Sequence, residues 1–337
     1  MCTRRFGRFG VILIVGLVAG LLATACRTPT QSAQAPMKVR IGYNKTWTTP
    51  FLLIAKNQGA FQKAGVEVEW VEFQAPPQAI EALAAGSVDM AITAVPNFVT
   101  AFEKGVDMRM VLHLSGWSEP TSTYFVRVDS DINSVKDLKG KKIGVNNYGG
   151  NFDLYLRHIL DENGLDPKND VQILEVPIAA VYQALDARQI DAGVVPALFV
   201  PRAEATMPGK LRPLFTYRDI PGIAQRPQFN QLVLAVSNSF LKNNRPAAKA
   251  FLKVILDTQA WAQGNVQEAA NLWAAEAGIP ALAQMQDPFG PDTKGKIDVP
   301  SLELDIQLVN KFGYSKTQPA ATAFLDETLV DEINAGK

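Results

Sequence analysis

The residues best placed to bind a ligand lie in one loop, Asn146-Asn147-Tyr148-Gly149-Gly150-Asn151. The loop joins an apolar segment to an amphipathic segment beginning at Phe152, the order of a strand, a turn and a helix. Glycines let backbone N–H groups approach a ligand, and a helix N-terminus favours anions through its unpaired N–H groups and its dipole. A nitrate or sulfonate group would suit this loop. The Gly-Gly pair could equally serve only a tight connection, and the sequence leaves both interpretations open.

Five aromatic residues lie in loops predicted to face one another across a cleft. The two predicted to lie on one side are Trp47 and Trp117, and those on the other are Tyr148, Phe152 and Tyr182. Rings on both sides of a cleft can sandwich a flat ligand, each stack contributing about 0.5–1.5 kcal/mol beyond area burial. We expect two or three of these rings to contact the ligand.

Polar side chains in the same loops could recognise the edges of a flat ligand, because amides both donate and accept hydrogen bonds. The predicted polar contacts are Asn44, Thr48, Gln74, Thr93, Asn97, Glu119, Asn146, Asn151 and Asn230, with Gln231 and Asp153 as further candidates. Lys45 is the only basic residue in these loops, whereas tight sulfonate recognition usually draws on Arg or several donors. The composition of the loops therefore favours a neutral, planar heteroaromatic ligand.

The sequence offers little for catalysis or metal binding. His113 and His158 are isolated from each other, and no Cys follows Cys26, so we expect no metal site and no cofactor. No Ser stands in a nucleophile-elbow motif. We therefore expect a binding protein and not an enzyme.

An internal repeat indicates how these loops are positioned. Lys-Ile-Gly-Val-Asn at Lys142–Asn146 echoes Arg-Ile-Gly-Tyr-Asn at Arg40–Asn44, and later landmarks keep the same spacing. Residue numbers 41 and 143 differ by 102, as do 83 and 185, and 89 and 191. Each half alternates predicted strands and helices, which favours an α/β fold with largely parallel sheets. We predict two doubly wound α/β lobes joined by a two-strand hinge, with the ligand beyond the carboxyl ends of the strands.

The N-terminus has the pattern of a targeting segment, in which three arginines precede an apolar run from Val11 to Leu22. The run is shorter than the roughly 20 residues of a membrane span. Ala23-Thr24-Ala25-Cys26 resembles a bacterial lipobox, although Ala23 stands where Leu is usual, and ordinary secretory cleavage is the alternative. The predicted divisions are a signal peptide at 1–25, a lipid-anchored tether at 26–37, lobe 1 at 38–124 plus 230–337, and lobe 2 at 125–229.

The charge balance argues against nucleic acid as a partner. The chain has 33 basic and 33 acidic residues, and the 3 arginines of the signal leave 30 against 33, a charge near −3. We expect contact with a membrane only through the lipid on Cys26, at a cell membrane and facing the periplasm or the extracellular side.

Three stretches resemble the solute-binding proteins of ABC importers, in the branch of nitrate, sulfonate, taurine and thiamine-precursor binders. They are IGYNKTWTTPFLLIAKNQGAFQKAGVEVEWVEF, ALAAGSVDMAITAVP and LKGKKIGVNNYGGNFDLYLRHILDENGLDP. The resemblance covers about Lys38 to Gln263 and implies a type II periplasmic-binding-protein-like fold of two lobes that close over one ligand. It also implies an ABC permease and an ATPase as partners.

Among the ligands of this branch, the aromatic loops favour riboflavin, with a thiamine pyrimidine precursor, an alkanesulfonate, taurine or nitrate as alternatives. The branch is also similar to a pyrimidine-forming enzyme of thiamine synthesis, but that enzyme draws on a Cys-rich motif, which is absent after Cys26. A ligand sensor without transport remains a third hypothesis.

Overall fold

The computed structural model describes residues 36–43, 50–115, 122–196, 199–200, 207–223, 226, 230–278, 289 and 292–336. The predicted signal peptide, Cys26 and most of the predicted tether lie outside these residues. Met37, predicted as the last residue of the tether, is the first residue of a strand. Across the described ranges, no helix combines the length and the apolar character needed to cross a bilayer.

The first sheet has five strands in the spatial order β2-β1-β3-β10-β4. Strand β10 runs antiparallel to β3 and β4, whereas β1 pairs in parallel with β2 and β3. The strands are β1 (Met37–Tyr43), β2 (Val66–Glu72), β3 (Met90–Ala94), β4 (Met108–Ser115) and β10 (Leu232–Ser237).

The second sheet repeats this order as β7-β6-β8-β5-β9, again with the antiparallel strand in fourth place. Its strands are β5 (Ser122–Arg127), β6 (Lys142–Val145), β7 (Gln172–Glu175), β8 (Ala192–Pro196) and β9 (Leu211–Thr216). Two sheets of one pattern confirm the predicted α/β fold class. The predicted lobe limits stay a prediction, and β5 already begins in the second sheet at Ser122.

The internal repeat holds at the level of single hydrogen bonds. The Arg40 N–H donates to Asp89 Oδ2 at 2.9 Å, and the Lys142 N–H donates to Asp191 Oδ2 at 2.8 Å. Both aspartate N–H groups donate back to the carbonyl of the same partner at 2.8 Å. The same pair of hydrogen bonds therefore joins the residue before β3 to β1 in the first lobe and the residue before β8 to β6 in the second.

The helices connect and cover the strands. Their bounds are α1 (Pro50–Asn57), α2 (Ala60–Lys63), α3 (Pro76–Ala84), α4 (Val95–Glu103), α5 (Asn151–Glu162), α6 (Val181–Asp186), α7 (Asn238–Asn243), α8 (Arg245–Gly264), α9 (Val266–Ala277), α10 (Val299–Lys311) and α11 (Thr328–Asn334). Helices α8 and α9 pack on α1 in the first lobe, whereas α10 packs against α4 of the first lobe and α5 of the second.

Candidate functional site

A small pocket, with a cavity volume of about 10 Å³, lies where the carboxyl ends of the two sheets face each other. Its lining comes from the end of β3 and the start of β10 on one side, and from the β6–α5 loop on the other. The lining residues are Ala94, Asn146, Asn147, Asn151, Phe152, Gln231 and Leu232. The place agrees with the general rule that open α/β sheets bind ligands beyond the carboxyl ends of their strands.

Three asparagines of the β6–α5 loop shape the pocket. The Asn146 amide donates to Asn147 Oδ1 at 2.5 Å, and the Asn147 amide donates to the Tyr148 carbonyl at 3.2 Å. The Asn151 amide donates across the cleft to the Gln231 carbonyl at 2.9 Å. The last of these bonds ties the N-terminus of α5 to the segment that enters β10.

Four buried polar side-chain atoms near the carboxyl ends of the strands have no hydrogen-bond partner among the described residues. They are the Oδ1 atoms of Asn97, Asn146 and Asn151 and the Oγ of Ser115. Asn97 stands in the first turn of α4 and Ser115 ends β4, so all four residues lie near the carboxyl ends of strands. Buried polar groups are almost always paired, which marks these atoms as places for a ligand or water. A carboxamide that turns by 180° exchanges its donor and acceptor, so these side chains can serve either kind of ligand group.

The predicted anion loop is partly occupied by the protein's own carboxylates. The Tyr148 N–H donates to Glu175 Oε1 at 2.7 Å, and the Gly149 N–H donates to Asp153 Oδ2 at 2.8 Å. Gly149 has φ +68°, a conformation that favours glycine. An anion could therefore use the N–H groups of the first turn of α5, which have no intrahelical partners, but not these two loop N–H groups.

Asp153 is the centre of a buried network that fixes this loop. Its side chain is fully buried and accepts from Arg157 Nε at 2.8 Å and from the Tyr314 hydroxyl at 2.5 Å. Burial opposes the charge of Arg157, but the hydrogen bond and the charge of Asp153 raise its pKa overall. Burial, reinforced by the bond to Asp153, also raises the pKa of Tyr314. Arg157 is thus a cation and Tyr314 a neutral donor at physiological pH.

Of the five aromatic residues predicted to contact the ligand, the structure describes three, and these pack mainly within the second lobe. The Phe152 ring stacks on Tyr217 with centroids 6.3 Å apart, although its side chain also lines the pocket. Tyr182 is buried and does not line the pocket, and the Tyr148 hydroxyl donates to the Ile173 carbonyl at 3.1 Å. Trp47 and Trp117 lie outside the described residues, so the predicted aromatic sandwich stays a prediction.

The other predicted polar contacts occupy different surroundings. Both ends of the Asn230 amide bond the backbone of Asp298, at 2.7 and 3.0 Å, so this side chain serves the fold. Thr93 is fully buried with its hydroxyl 3.3 Å from the Ala94 carbonyl, and Gln74 is exposed at the end of β2. The predicted contacts Asn44, Thr48 and Glu119 lie outside the described residues.

Sequence reasoning missed three residues of this site. Asn147 lies in the Asn146–Asn151 loop, and the predicted contacts Asn146 and Tyr148 on either side of it were the signal that could have identified it. Glu175 and Tyr314 reach the loop from β7 and from the segment after α10, and no local pattern marks either of them. Within the part of the chain that the structure describes, no group of three His, Cys, Asp or Glu side chains could hold a metal ion.

Comparisons with known proteins point to one family. The model of the family described as NMT1/THI5 like matches residues 48–269. Candidate aliphatic sulfonates-binding proteins are similar in sequence: one from Bacillus subtilis (28% identical, covering 79% of this chain and 77% of the relative) and one from Escherichia coli (27%, covering 90% and 91%). The fold is similar to that of the alkanesulfonate-binding protein SsuA from Xanthomonas axonopodis pv. citri bound to MOPS, with TM-score 0.71 and 21% identity, covering 88% of this chain and 100% of that one.

Proposed function

The chain belongs to the NMT1/THI5-like family, and we propose that it is the solute-binding component of an ABC-type importer. It captures a small organic ligand between its two lobes, outside the cytoplasm, and delivers it to a permease with its ATPase. The ligand class that we propose is an organic oxoanion of the alkanesulfonate kind. The lipid anchor on Cys26 remains part of this proposal.

One observation supports the binding role above the others: buried amide oxygens without a described hydrogen-bond partner lie near the carboxyl ends of strands in both lobes, two of them on residues that line the pocket. Asn97 contributes from the first lobe, and Asn146 and Asn151 contribute from the second. A protein that used these side chains only for folding would leave their desolvation uncompensated, at about 1–3 kcal/mol for each group. A ligand that hydrogen-bonds them offsets this cost.

The sulfonate assignment rests on the names of the relatives and on the chemistry of the pocket. Two relatives that share most of the chain are candidate aliphatic sulfonates-binding proteins. Asparagine amides and the first N–H groups of α5 are neutral donors that suit a single negative charge. Among the described lining residues there is no Lys or Arg, so recognition would rest on several hydrogen bonds.

These observations revise our preference for riboflavin, which the comparisons do not support. Phe152 lines the pocket but stacks on Tyr217 of its own lobe, and Tyr182 does not line the pocket, so the described rings do not form a two-sided slot for a flavin. A neutral aminopyrimidine is the second candidate, because the unpartnered amide oxygens accept hydrogen bonds from ring and exocyclic N–H groups.

Isothermal titration calorimetry of the purified protein tests these assignments. The ligands are alkanesulfonates, taurine, nitrate, an aminopyrimidine and riboflavin, and we expect the alkanesulfonates to bind most tightly. Asn146→Ala should weaken binding at least tenfold, whereas the exposed Asn169→Ala should not. Binding of the aminopyrimidine alone would reject the sulfonate assignment, and equal effects of the two variants would reject this pocket.

A further inference from the structure

The chain passes between the lobes at two places besides the β4–β5 and β9–β10 connections, on either side of α10. Before α10 it lies on the first lobe, where the Ile297 N–H donates to Glu327 Oε1 at 2.7 Å. Glu327 precedes α11, which packs on α8 and β4. The next residue, Asp298, instead pairs with Arg226 Nη1 at 3.4 Å, in the segment that follows the second sheet. We call residues 298–317 the strap.

Polar contacts fasten the strap to α5 of the second lobe. The Tyr155 hydroxyl donates to Asp305 Oδ1 at 2.7 Å, and both side chains are fully buried. One helical turn and a half further on, Lys311 Nζ pairs with Asp161 Oδ2 at 2.6 Å. Hydrogen bonds weaken steeply when their angle changes, so this contact holds α10 in one orientation against α5.

The chain returns to the first lobe directly after α10. Tyr314 still bonds Asp153 of α5 at 2.5 Å, whereas the N–H groups of Lys316 and Thr317 donate to the carboxylate of Glu103 at 2.8 and 2.7 Å. Glu103 is the last residue of α4. We call this carboxylate and its two N–H donors the clasp.

The contact between α10 and α4 of the first lobe is of a different kind. The two helices pack on each other, and the buried Phe98 and Val99 of α4 belong to the same apolar core as Leu302, Ile306 and Val309 of α10. Apolar burial has no preferred direction, and packed helices can slide past each other by about 1–2 Å. The strap is therefore held to the second lobe by directional bonds and to α4 by a surface that tolerates sliding.

We propose that the strap moves with the second lobe and slides on α4 when the cleft opens, and that the Glu103 clasp limits this movement. The lobes are then joined at four crossings. Asp153, which bonds the strap, also accepts from the Gly149 N–H in the β6–α5 loop that lines the pocket, so the strap and this loop move together. The motion is a property of the chain and does not depend on which solute binds.

Double electron–electron resonance between pairs of spin labels tests the proposal on the free protein. Cys2→Ser and Cys26→Ser remove the native thiols of the full chain. The first-lobe label is attached at Lys63→Cys, the second-lobe label at Lys168→Cys and the strap label at Gln307→Cys, all of them exposed positions. The three pairs of labels give three distances.

Glu103→Ala removes the clasp, and Glu81→Ala, at an exposed glutamate of the neighbouring helix α3, is its matched control. In Glu103→Ala we expect both distances from the first-lobe label to shift by about 2 Å or to broaden. The distance between the second-lobe label and the strap label should stay unchanged, and the control should match the unaltered protein. Glu103→Gln keeps one acceptor oxygen and should give a smaller change in the same direction.

Two results would overturn the proposal. If Glu103→Ala changes the distance between the second-lobe label and the strap label but not that between the first-lobe label and the strap label, α10 moves with the first lobe. If none of the three distances changes, the clasp does not limit the movement of the lobes. Neither result bears on the ligand, so the proposed function stands or falls separately in calorimetry.

Discussion

The buried Asp153 network makes the most specific prediction about stability, through the substitution Asp153→Asn. The carboxylate accepts from the Gly149 N–H, Arg157 Nε and the Tyr314 hydroxyl, and it is fully buried. Asparagine keeps the shape of the side chain but replaces one oxygen by an NH₂ group. In either orientation that group points at a donor, and Arg157 loses its counter-charge.

The magnitude follows from the burial of both partners. Removing one partner of a buried ion pair costs about 3–5 kcal/mol, because the other charge is left uncompensated. The Arg157 side chain keeps 16% exposure, so water can partly solvate its charge, and we expect the lower end, about 3 kcal/mol. Tyr314→Phe removes one hydrogen bond to a charged acceptor and should cost about 1.5 kcal/mol.

Urea unfolding at pH 7, followed by tryptophan fluorescence, measures these changes in the free energy of unfolding. The matched control is Asp257→Asn, whose carboxylate pairs with Lys253 at the surface with 61% of its side chain exposed. We expect no resolved change for this control, since exposed ion pairs contribute little. A loss below about 1 kcal/mol for Asp153→Asn, or equal losses in both variants, would refute the reasoning.

Three further predictions concern the pocket, the pH dependence and the N-terminus. Gly150→Ala should weaken ligand binding about tenfold or more in calorimetry, because its Cβ would lie 2.7 Å from Asn147 Nδ2, whereas Gly264→Ala, with open space around it, should not. Burial raises the pKa of Asp305 above the usual value of about 3.9. The free energy of unfolding should therefore fall as the pH rises from about 4 towards the folded-state pKa of Asp305. Asp305→Asn should remove this decline in urea unfolding, and an unchanged pH profile would contradict the prediction. Cys26→Ser should abolish palmitate labelling of the exported protein, and retained label would reject the lipobox.

The repeated parts of the fold could be predicted because local pattern determines them. The strand predicted before the Asn146–Asn151 loop and the helix predicted to begin at Phe152 are confirmed as Lys142–Val145 and Asn151–Glu162. The repeated stretches that begin at Arg40 and Lys142 both belong to strands, Met37–Tyr43 and Lys142–Val145. Apolar periodicity and the constant spacing of 102 residues were sufficient for these assignments.

The role of individual polar residues could not be predicted in the same way. Asn146 and Asn230 are the same residue type in similar predicted loops, yet one leaves a buried oxygen unpartnered and the other is saturated by Asp298. The difference comes from a partner 68 residues further along the chain. Tyr314 reaches Asp153 across a separation of 161 residues, beyond the end of the family match at residue 269. Such contacts depend on packing that periodicity does not encode.

The position of the antiparallel strand has a consequence for the order of folding. The second sheet is complete within Ser122–Thr216, whereas β4 enters the first sheet only through β10. The pairing of Leu232 with Ala94 closes a loop of 138 residues, the difference between 232 and 94. Long loops carry the larger closure entropy and slow the formation of their contacts. We therefore expect the second lobe to form first during refolding, and β10 to complete the first lobe in the rate-limiting step.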